Sequence, residues 1–490
     1  MRCREGDCII RNGHHPPVTS RSSPPLESTS DAQTPASPGG ARALLTDLYE
    51  AAVAGAAPGP LTTAALASFE APPDQRLWLF AMGKGAQAMG AAAIASLQRS
   101  LHTIAGGVIV GPTAAPSPYA TIAALPGDHP IPGRRSFTAA ERIGLTARGM
   151  RAADVAIVLL SGGASSLIAA PLRGMAEADL AELFELLLLS GLDVRQVNAV
   201  RKRFTRWGAG RLALALAPAR THVLVVSDVP RDDPADVGSG PCAPDAHGVH
   251  DVIELMKSAG IWSRVTPAMR DYLAGVARGV VPETPRHTHP AFAHVNTRVI
   301  GSNRLALDAI ERRAGLLRLP IERIERSLAG EAAAAGRQIA MALVERAREP
   351  GPALMLWGGE TTVELARTAP AFPGRRGESR IDTAVAGVPP TGGRCQELAL
   401  AASRVLADAG ESARRVTLLA AGTDGRDGPT DAAGAFADAA VWRTVGARGR
   451  DPDLALARHE SYAALDAAGA LLRRGLTGTN VMDVAIGLVE

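Results

Sequence analysis

The segment RLWLFAMGKGAQAMGAAAIASLQ, residues 76–98, decides how the rest of the chain is read. An apolar run with bulky side chains, a Gly-Lys-Gly turn and an Ala-rich stretch follow one another without a break, which is the pattern of a strand, a tight turn and a helix. The same grammar recurs where DVAIVLLSGGASS leads into MAEADLAELFELLLL, and again at THVLVVSDVPRDDP, ALMLWGGETT and RRVTLLAAGTDG. Strands alternating with helices predict an α/β fold of mainly parallel sheets covered on both faces. Ligands of such sheets lie beyond the carboxyl ends of the strands, so chemistry is expected in the five turns.

At 490 residues the chain exceeds one ordinary core. The Pro- and His-rich stretch VVPETPRHTHPAFAHV, residues 280–295, marks the best boundary. The expected organisation is a disordered Ser/Pro-rich extension at 1–40, an N-terminal α/β domain at 41–290 and a C-terminal α/β domain at 291–490. Residues 366–391, rich in Pro, Gly and Arg, read as an exposed loop or insertion. Hydrophobic residues make up 46% and aromatic residues only 3%, so the core is built from Ala, Val, Leu and Ile and no base-stacking surface is expected. The net charge of +3 is interleaved along the chain, which argues against a nucleic-acid or membrane footprint and for small-molecule partners. Cys3, Cys8, Cys242 and Cys395 form neither a disulfide framework nor a paired metal motif, and with no secretory signal or membrane span in view a cytoplasmic setting is expected.

Only three of the 52 basic residues are lysines, and one of them, Lys84, stands between Gly83 and Gly85 at the start of an expected helix. There the backbone can approach a ligand closely, and helix N–H groups and an ammonium favour an anion. LLSGGASSL, residues 159–167, offers Ser161, Gly162, Gly163, Ser165 and Ser166 as hydroxyl and backbone donors, and is not a nucleophile elbow. Asp228 of SDVPRDDP ends a strand, where it could hold magnesium or take a hydroxyl proton. Gly358, Gly359, Glu360 and Thr361 form a fourth loop, and Gly393 leads Arg394 into an amphipathic helix as an anion clamp. Asp424, Asp427 and Asp431 fill the fifth loop, whose oxygen-rich pattern suits magnesium beside phosphates better than calcium or zinc. Cations, backbone donors and carboxylates together are what phosphoryl transfer needs. No GxxxxGK[ST] occurs, and WGAGRLALA at 207–215 follows a helix-like segment, so it is not a dinucleotide fingerprint.

Ten segments in order from about residue 41 to the C-terminus resemble the class II glycerate kinases, the family whose C-terminal part is the MOFRL domain and whose members were often labelled hydroxypyruvate reductases. They are GKGAQAMG, GDHPIP, LLSGGASSL, NAVRKRF, VSDVPRDDPADVGSGPCAPD, IGSNRLALDA, GGETTV, GGRCQELAL, AAGTDGRDGPTDAAGA and TGTNVMDVAIGLV. The resemblance implies a Rossmann-like N-terminal domain, a smaller MOFRL-type C-terminal domain and an active site in the cleft between them. It implies ATP- and magnesium-dependent phosphorylation of D-glycerate, most often to 2-phosphoglycerate, and leaves a homo-oligomer open. Lys84 and Arg394 match the family's functional lysine and arginine, and Asn303 and Asn480 join the binding set. The chain departs from the pattern at Cys395, where Asn is expected, and at Gly133, where Asp usually follows HPIP. Two alternatives are a nicotinamide-dependent hydroxypyruvate reductase and a non-catalytic sugar-acid or nucleotide sensor. The reductase needs a strand-borne glycine fingerprint or a His/Arg pair set for hydride transfer; neither is found, and His129 reads as a turn residue.

Overall fold

Six strands pair in parallel in the order β3-β2-β1-β4-β5-β6: β1 Leu77–Met82, β2 Ile104–Gly111, β3 Ile122–Pro126, β4 Val155–Ser161, β5 Arg220–Val226 and β6 Val295–Gly301. This is the doubly wound order, whose switch point lies between β1 and β4. The computed structural model describes residues 38–72, 75–117, 119–325, 327–363 and 391–490. Every residue of β1 and β4 is buried, as near-continuous apolar runs covered by helices on both faces should be. β6 begins beyond the boundary expected at residue 290, yet it completes the first sheet by pairing along β5. Its four exposed residues in a row suit an edge strand.

The second sheet differs from the sequence expectation. Its order is β11-β10-β9-β12-β8-β7, from β7 Ile321–Arg323, β8 Ala353–Gly359, β9 Val416–Gly422, β10 Gly434–Asp438, β11 Leu471–Leu472 and β12 Asp483–Val489. Only β7 and β8 pair in parallel; the other four pairings are antiparallel, so the sheet is not mainly parallel. Two features cause this. The last strand, β12, inserts antiparallel between β8 and β9. The Asp/Gly loop after β9 leads straight into β10 instead of a helix, because Gly425 and Gly428 take positive φ and the Asp427 and Gly422 N–H groups donate to Ala432 and Ala433 across the turn. Sequence reading took that loop for a strand-to-helix turn.

One buried cluster runs from Leu79 and Leu159 of the first sheet through Leu45 and Ile310 of two helices, Pro38–Gly55 and Asn303–Leu316, to Leu356 and Ile486 of the second. Polar ties cross at the same place: Tyr49 Oη donates to the Gly422 carbonyl (2.9 Å) and Thr479 Oγ1 to that of Ala56 (2.6 Å). The first helix starts at Pro38, just inside the expected extension; the remainder of that segment, and almost all of 366–391, lie outside the described residues. The relation fixed here matters for chemistry. It brings the carboxyl ends of β1, β4 and β5 to face the end of the second sheet formed by Gly359, Asp483 and Gly422, which are register neighbours.

Candidate active site

The two turns at the switch point are stitched together. Gly83 has φ +120°, and a Cβ there would lie 2.3 Å from both the carbonyl oxygen and Oγ of Ser161, so only glycine fits. The Lys84 N–H donates to the Gly162 carbonyl (2.8 Å) and the Gly85 N–H to Ser161 Oγ (2.9 Å), leaving the Lys84 side chain exposed at the mouth. A Cβ on Gly163, whose φ is +81°, would stand 3.2 Å from Lys84 Cγ and from His129 Cδ2, so the lysine stem and the imidazole flank this glycine. Gly162 is pressed against Asp228: a Cβ would fall 1.7 Å from Oδ2. Burial pushes the Asp228 carboxyl up to about 6, although Lys84 pulls the other way.

The serines do less than the sequence suggested. Ser161 is buried and receives Gly85, Ser166 Oγ donates to the Gly163 carbonyl (3.2 Å), and Ser165 shares a 2.8 Å hydrogen bond with Ser239. They hold the loop in shape, and its capacity to meet a ligand rests on backbone groups and on half-buried Ser165.

The turn after β1 also spells Gly83-x-Gly85-x-x-Ala88, a strand-borne glycine pattern that the sequence reading overlooked while it correctly set aside WGAGRLALA behind the helix Val194–Phe204. It meets only half of the dinucleotide requirement. β2 ends at Gly111 followed by Pro112 and Thr113, with no acid for a ribose, and Gln87 Nε2 spans that space to the Thr113 carbonyl (2.8 Å).

From the second sheet, Arg394 opens the helix Arg394–Ala409 and forks onto Asp483, with Nε 2.5 Å from Oδ2 and Nη2 2.9 Å from Oδ1. Its Nη1 lies 2.5 Å from Glu360 Oε1. Asp483 is 3% exposed and Arg394 34%, so the fork is anchored in the protein and the guanidinium reaches the cleft. Two carboxylates hold its field: Asp483 and then Glu360 keep Arg394 charged against burial, which alone would favour the neutral form. Asp427 caps this helix, accepting from the N–H groups of Cys395 (3.2 Å) and Gln396 (2.8 Å), and Gly393 is needed because a Cβ would meet that carboxylate at 2.2 Å. Cys395, the departure beside Arg394, is buried, and burial, reinforced by the charges of Asp483 and Asp427, pushes its thiol well above the ordinary value.

The three aspartates of the fifth loop therefore have three fates. Asp424 faces the cleft, Asp427 positions Arg394, and Asp431 sits at the surface with Tyr462 Oη (2.7 Å) and Arg473 (3.2 Å). The sequence read Asn303 as a ligand contact, but its amide is committed to the carbonyls of Val481 and Asp483 (both 2.9 Å), and its Oδ1 stands where a Cβ on Gly358 would be. Asn480 Oδ1 accepts from Met482 (3.2 Å), Thr361 is buried, and Gly359, with φ +140°, turns the chain so that Glu360 enters the site. At Gly133 the chain loses an N-cap side chain, and Asp128 replaces it by accepting from the Arg135 and Ser136 N–H groups.

Charges from both sheets act on one another. Glu360 is pushed up to about 7, first by burial; Arg394 opposes this, Asp483 and Asp228 reinforce it, and Lys84 opposes it again. Asp424 is raised by burial and drawn down by Lys84. Lys84 of the first sheet thus shares one field with Asp228, Glu360 and Asp424. Asp483 lies within TGTNVMDVAIGLV, and its sequence signal is an acid at the start of an otherwise fully apolar strand.

A D-glycerate 2-kinase of Thermotoga maritima is 33% identical to the chain over 418 residues, covering 84% of this chain and 91% of the relative. The chain belongs to the class II glycerate kinase family. The MOFRL family profile matches residues 353–483, and that of a domain of unknown function, DUF4147, matches 44–274. A glycerate 2-kinase of Pyrococcus horikoshii is 32% identical over 419 residues, 84% of this chain and 87% of that one. The crystal structure of a Thermotoga maritima glycerate kinase superposes with a TM-score of 0.76 at 31% identity, covering 92% of this chain and all of the other.

Proposed function

We propose that the protein transfers the γ-phosphoryl group of ATP to D-glycerate, giving 2-phosphoglycerate and ADP. The observation that carries this reading is the meeting of Lys84 and Arg394, from opposite sheets, over a shared set of carboxylates. Phosphoryl transfer asks mainly for positioning and for neutralisation of charge on the equatorial oxygens. Lys84, next to the free N–H groups at the start of the helix Ala86–Arg99, and Arg394, held rigid by Asp483, supply both. Asp228, pushed up to about 6, is ionised at neutral pH and basic enough to take the hydroxyl proton of the acceptor.

Among the described residues no three His, Cys, Asp or Glu side chains gather into a cage, so the site suits a metal shared with phosphates and water. Asp228 and Asp424 are the carboxylates that would hold it, because neither is committed to a guanidinium and both are buried carboxylates that gain from a nearby cation. Magnesium held there would neutralise the nucleotide phosphates. The reductase reading is disfavoured by the absence of an acid at the end of β2. The buried free thiols of Cys242 and Cys395 support a reducing, cytoplasmic setting, and among the described residues no helix is long and apolar enough to cross a membrane.

ADP release with ATP, magnesium and D-glycerate tests the function. Lys84→Ala should lower kcat by at least about 100-fold, the order expected from losing about 3 kcal/mol of electrostatic stabilisation in a dry site. Full activity in that variant would overturn the role given to Lys84.

A further inference from the structure

The helix Val194–Phe204 carries three consecutive basic residues, Arg201, Lys202 and Arg203, and they are not equivalent. Lys202 donates to the Ala235 carbonyl (2.9 Å) and lies 3.8 Å from Asp245 Oδ1. Arg203 pairs with Asp245 (3.4 Å) and Glu283 and donates to the His247 carbonyl. Arg201 has neither an acid nor a carbonyl partner among the described residues; its guanidinium stacks 4.6 Å from the centroid of the Phe184 ring, and its Nε is buried without an acceptor. A guanidinium does not give up its proton in a protein, so burying one without an anion is costly. Such a cation is completed by a ligand.

Its place in the fold shows which ligand. Asn198, one turn earlier on the same helix face, donates to the Asp236 carbonyl (3.0 Å) and accepts from Ser239 (3.4 Å), and Ser239 meets Ser165 of the β4 loop (2.8 Å). This chain fixes the helix face against the first-sheet half of the cleft. Burial first, then Lys84 and Arg201, disfavour a charge on His129, whose ring lies against Gly163. Arg201 therefore approaches the cleft from the first sheet, beside the β4 loop to which the Asn198–Ser239–Ser165 chain ties its helix, whereas Arg394 is anchored on Asp483 of the second sheet.

We propose that Arg201 is the receptor for the carboxylate of the hydroxy-acid substrate, its planar fork binding both oxygens while the acceptor hydroxyl lies toward Asp228. This rests on the kinase reading above. A bidentate guanidinium recognises a carboxylate by shape as well as charge, which an ammonium cannot reproduce.

The test is steady-state kinetics of the full chain with ATP and D-glycerate, for wild type, Arg201→Met and Arg201→Lys. Removing one partner of a buried charged pair should raise KM for D-glycerate at least about 30-fold in Arg201→Met, with KM for ATP within about twofold of wild type and an intermediate value for Arg201→Lys. Thermal unfolding confirms that each variant is folded; should Arg201→Met fail to fold, Arg201→Lys decides by the same criterion with a rise of at least about fivefold. An active wild type with an unchanged KM for D-glycerate in the folded variant refutes the assignment alone. A rise in KM for ATP instead moves Arg201 to a nucleotide phosphate and also refutes it. A wild type without turnover of D-glycerate refutes the function and this assignment together.

Discussion

Gly162→Ala offers a close test of how the two switch-point turns build the site. The methyl group would stand 1.7 Å from Asp228 Oδ2 and 2.3 Å from its Cγ. To regain van der Waals separation the carboxylate has to withdraw by about 1.5–2 Å, because the other side of the contact is backbone, tied by the Lys84 N–H to Gly162 bond. Overpacking of this kind costs about 1–3 kcal/mol of stability. A shift above 1 Å at the reacting centre costs about 100-fold in rate. The variant should therefore fold, melt below wild type and lose kcat by about 100-fold in an ADP-release assay with D-glycerate. Adding Asp228→Ala removes the clash, so the double variant should recover stability and not activity, a non-additive result expected of touching residues. A Gly162→Ala enzyme with kcat within about threefold of wild type would refute the placement of Asp228 against this loop and its part in the chemistry.

Asp483→Asn leaves Arg394 with half of its fork and should lower unfolding free energy by about 3 kcal/mol, read as a reduced urea midpoint, together with a fall in kcat. A loss below about 0.5 kcal/mol would mean that Asp483 does not anchor Arg394. Glu360 gives a pH test. Its folded value of about 7 lies above the ordinary 4.5, so the native state holds the extra proton between them, and stability is lost as pH rises through 7. Gln cannot ionise, so without ligands the melting temperature of Glu360→Gln minus that of wild type should grow from pH 5 to pH 8. A flat or falling difference would contradict the buried, destabilised ionised form.

Of the first sheet, β1, β4 and β5 were legible because each has a buried apolar run ending in a turn rich in glycine or acid, whereas β6, polar and exposed over Asn296–Val299, lies beyond the boundary read from the sequence. The second sheet was not legible, because strand direction is decided by tertiary insertion: nothing local in VMDVAIGLV states that β12 will separate β8 from β9, and AAGAFA reads equally as a helix start. At the site, charged residues in Gly-rich loops were visible one by one. Their division of labour was not. Asp424, Asp427 and Asp431 look alike in sequence, yet one faces the cleft, one caps the Arg394 helix and one is exposed, since hydrogen bonds to distant backbone and side chains sort them. Asn303 and the serines of the β4 loop were polar residues in the right place whose hydrogen bonds are largely spent on the protein itself. Arg201 could not be separated from Lys202 and Arg203 until the acids around each were located.

The most direct measurement is phosphorus NMR of the protein incubated with ATP, magnesium and D-glycerate, with hydroxypyruvate and NADH followed by absorbance in parallel. The account expects a 2-phosphoglycerate resonance that grows with ADP, requires magnesium and is lost in Lys84→Ala. No phosphoester, with NADH consumed by hydroxypyruvate, would contradict it.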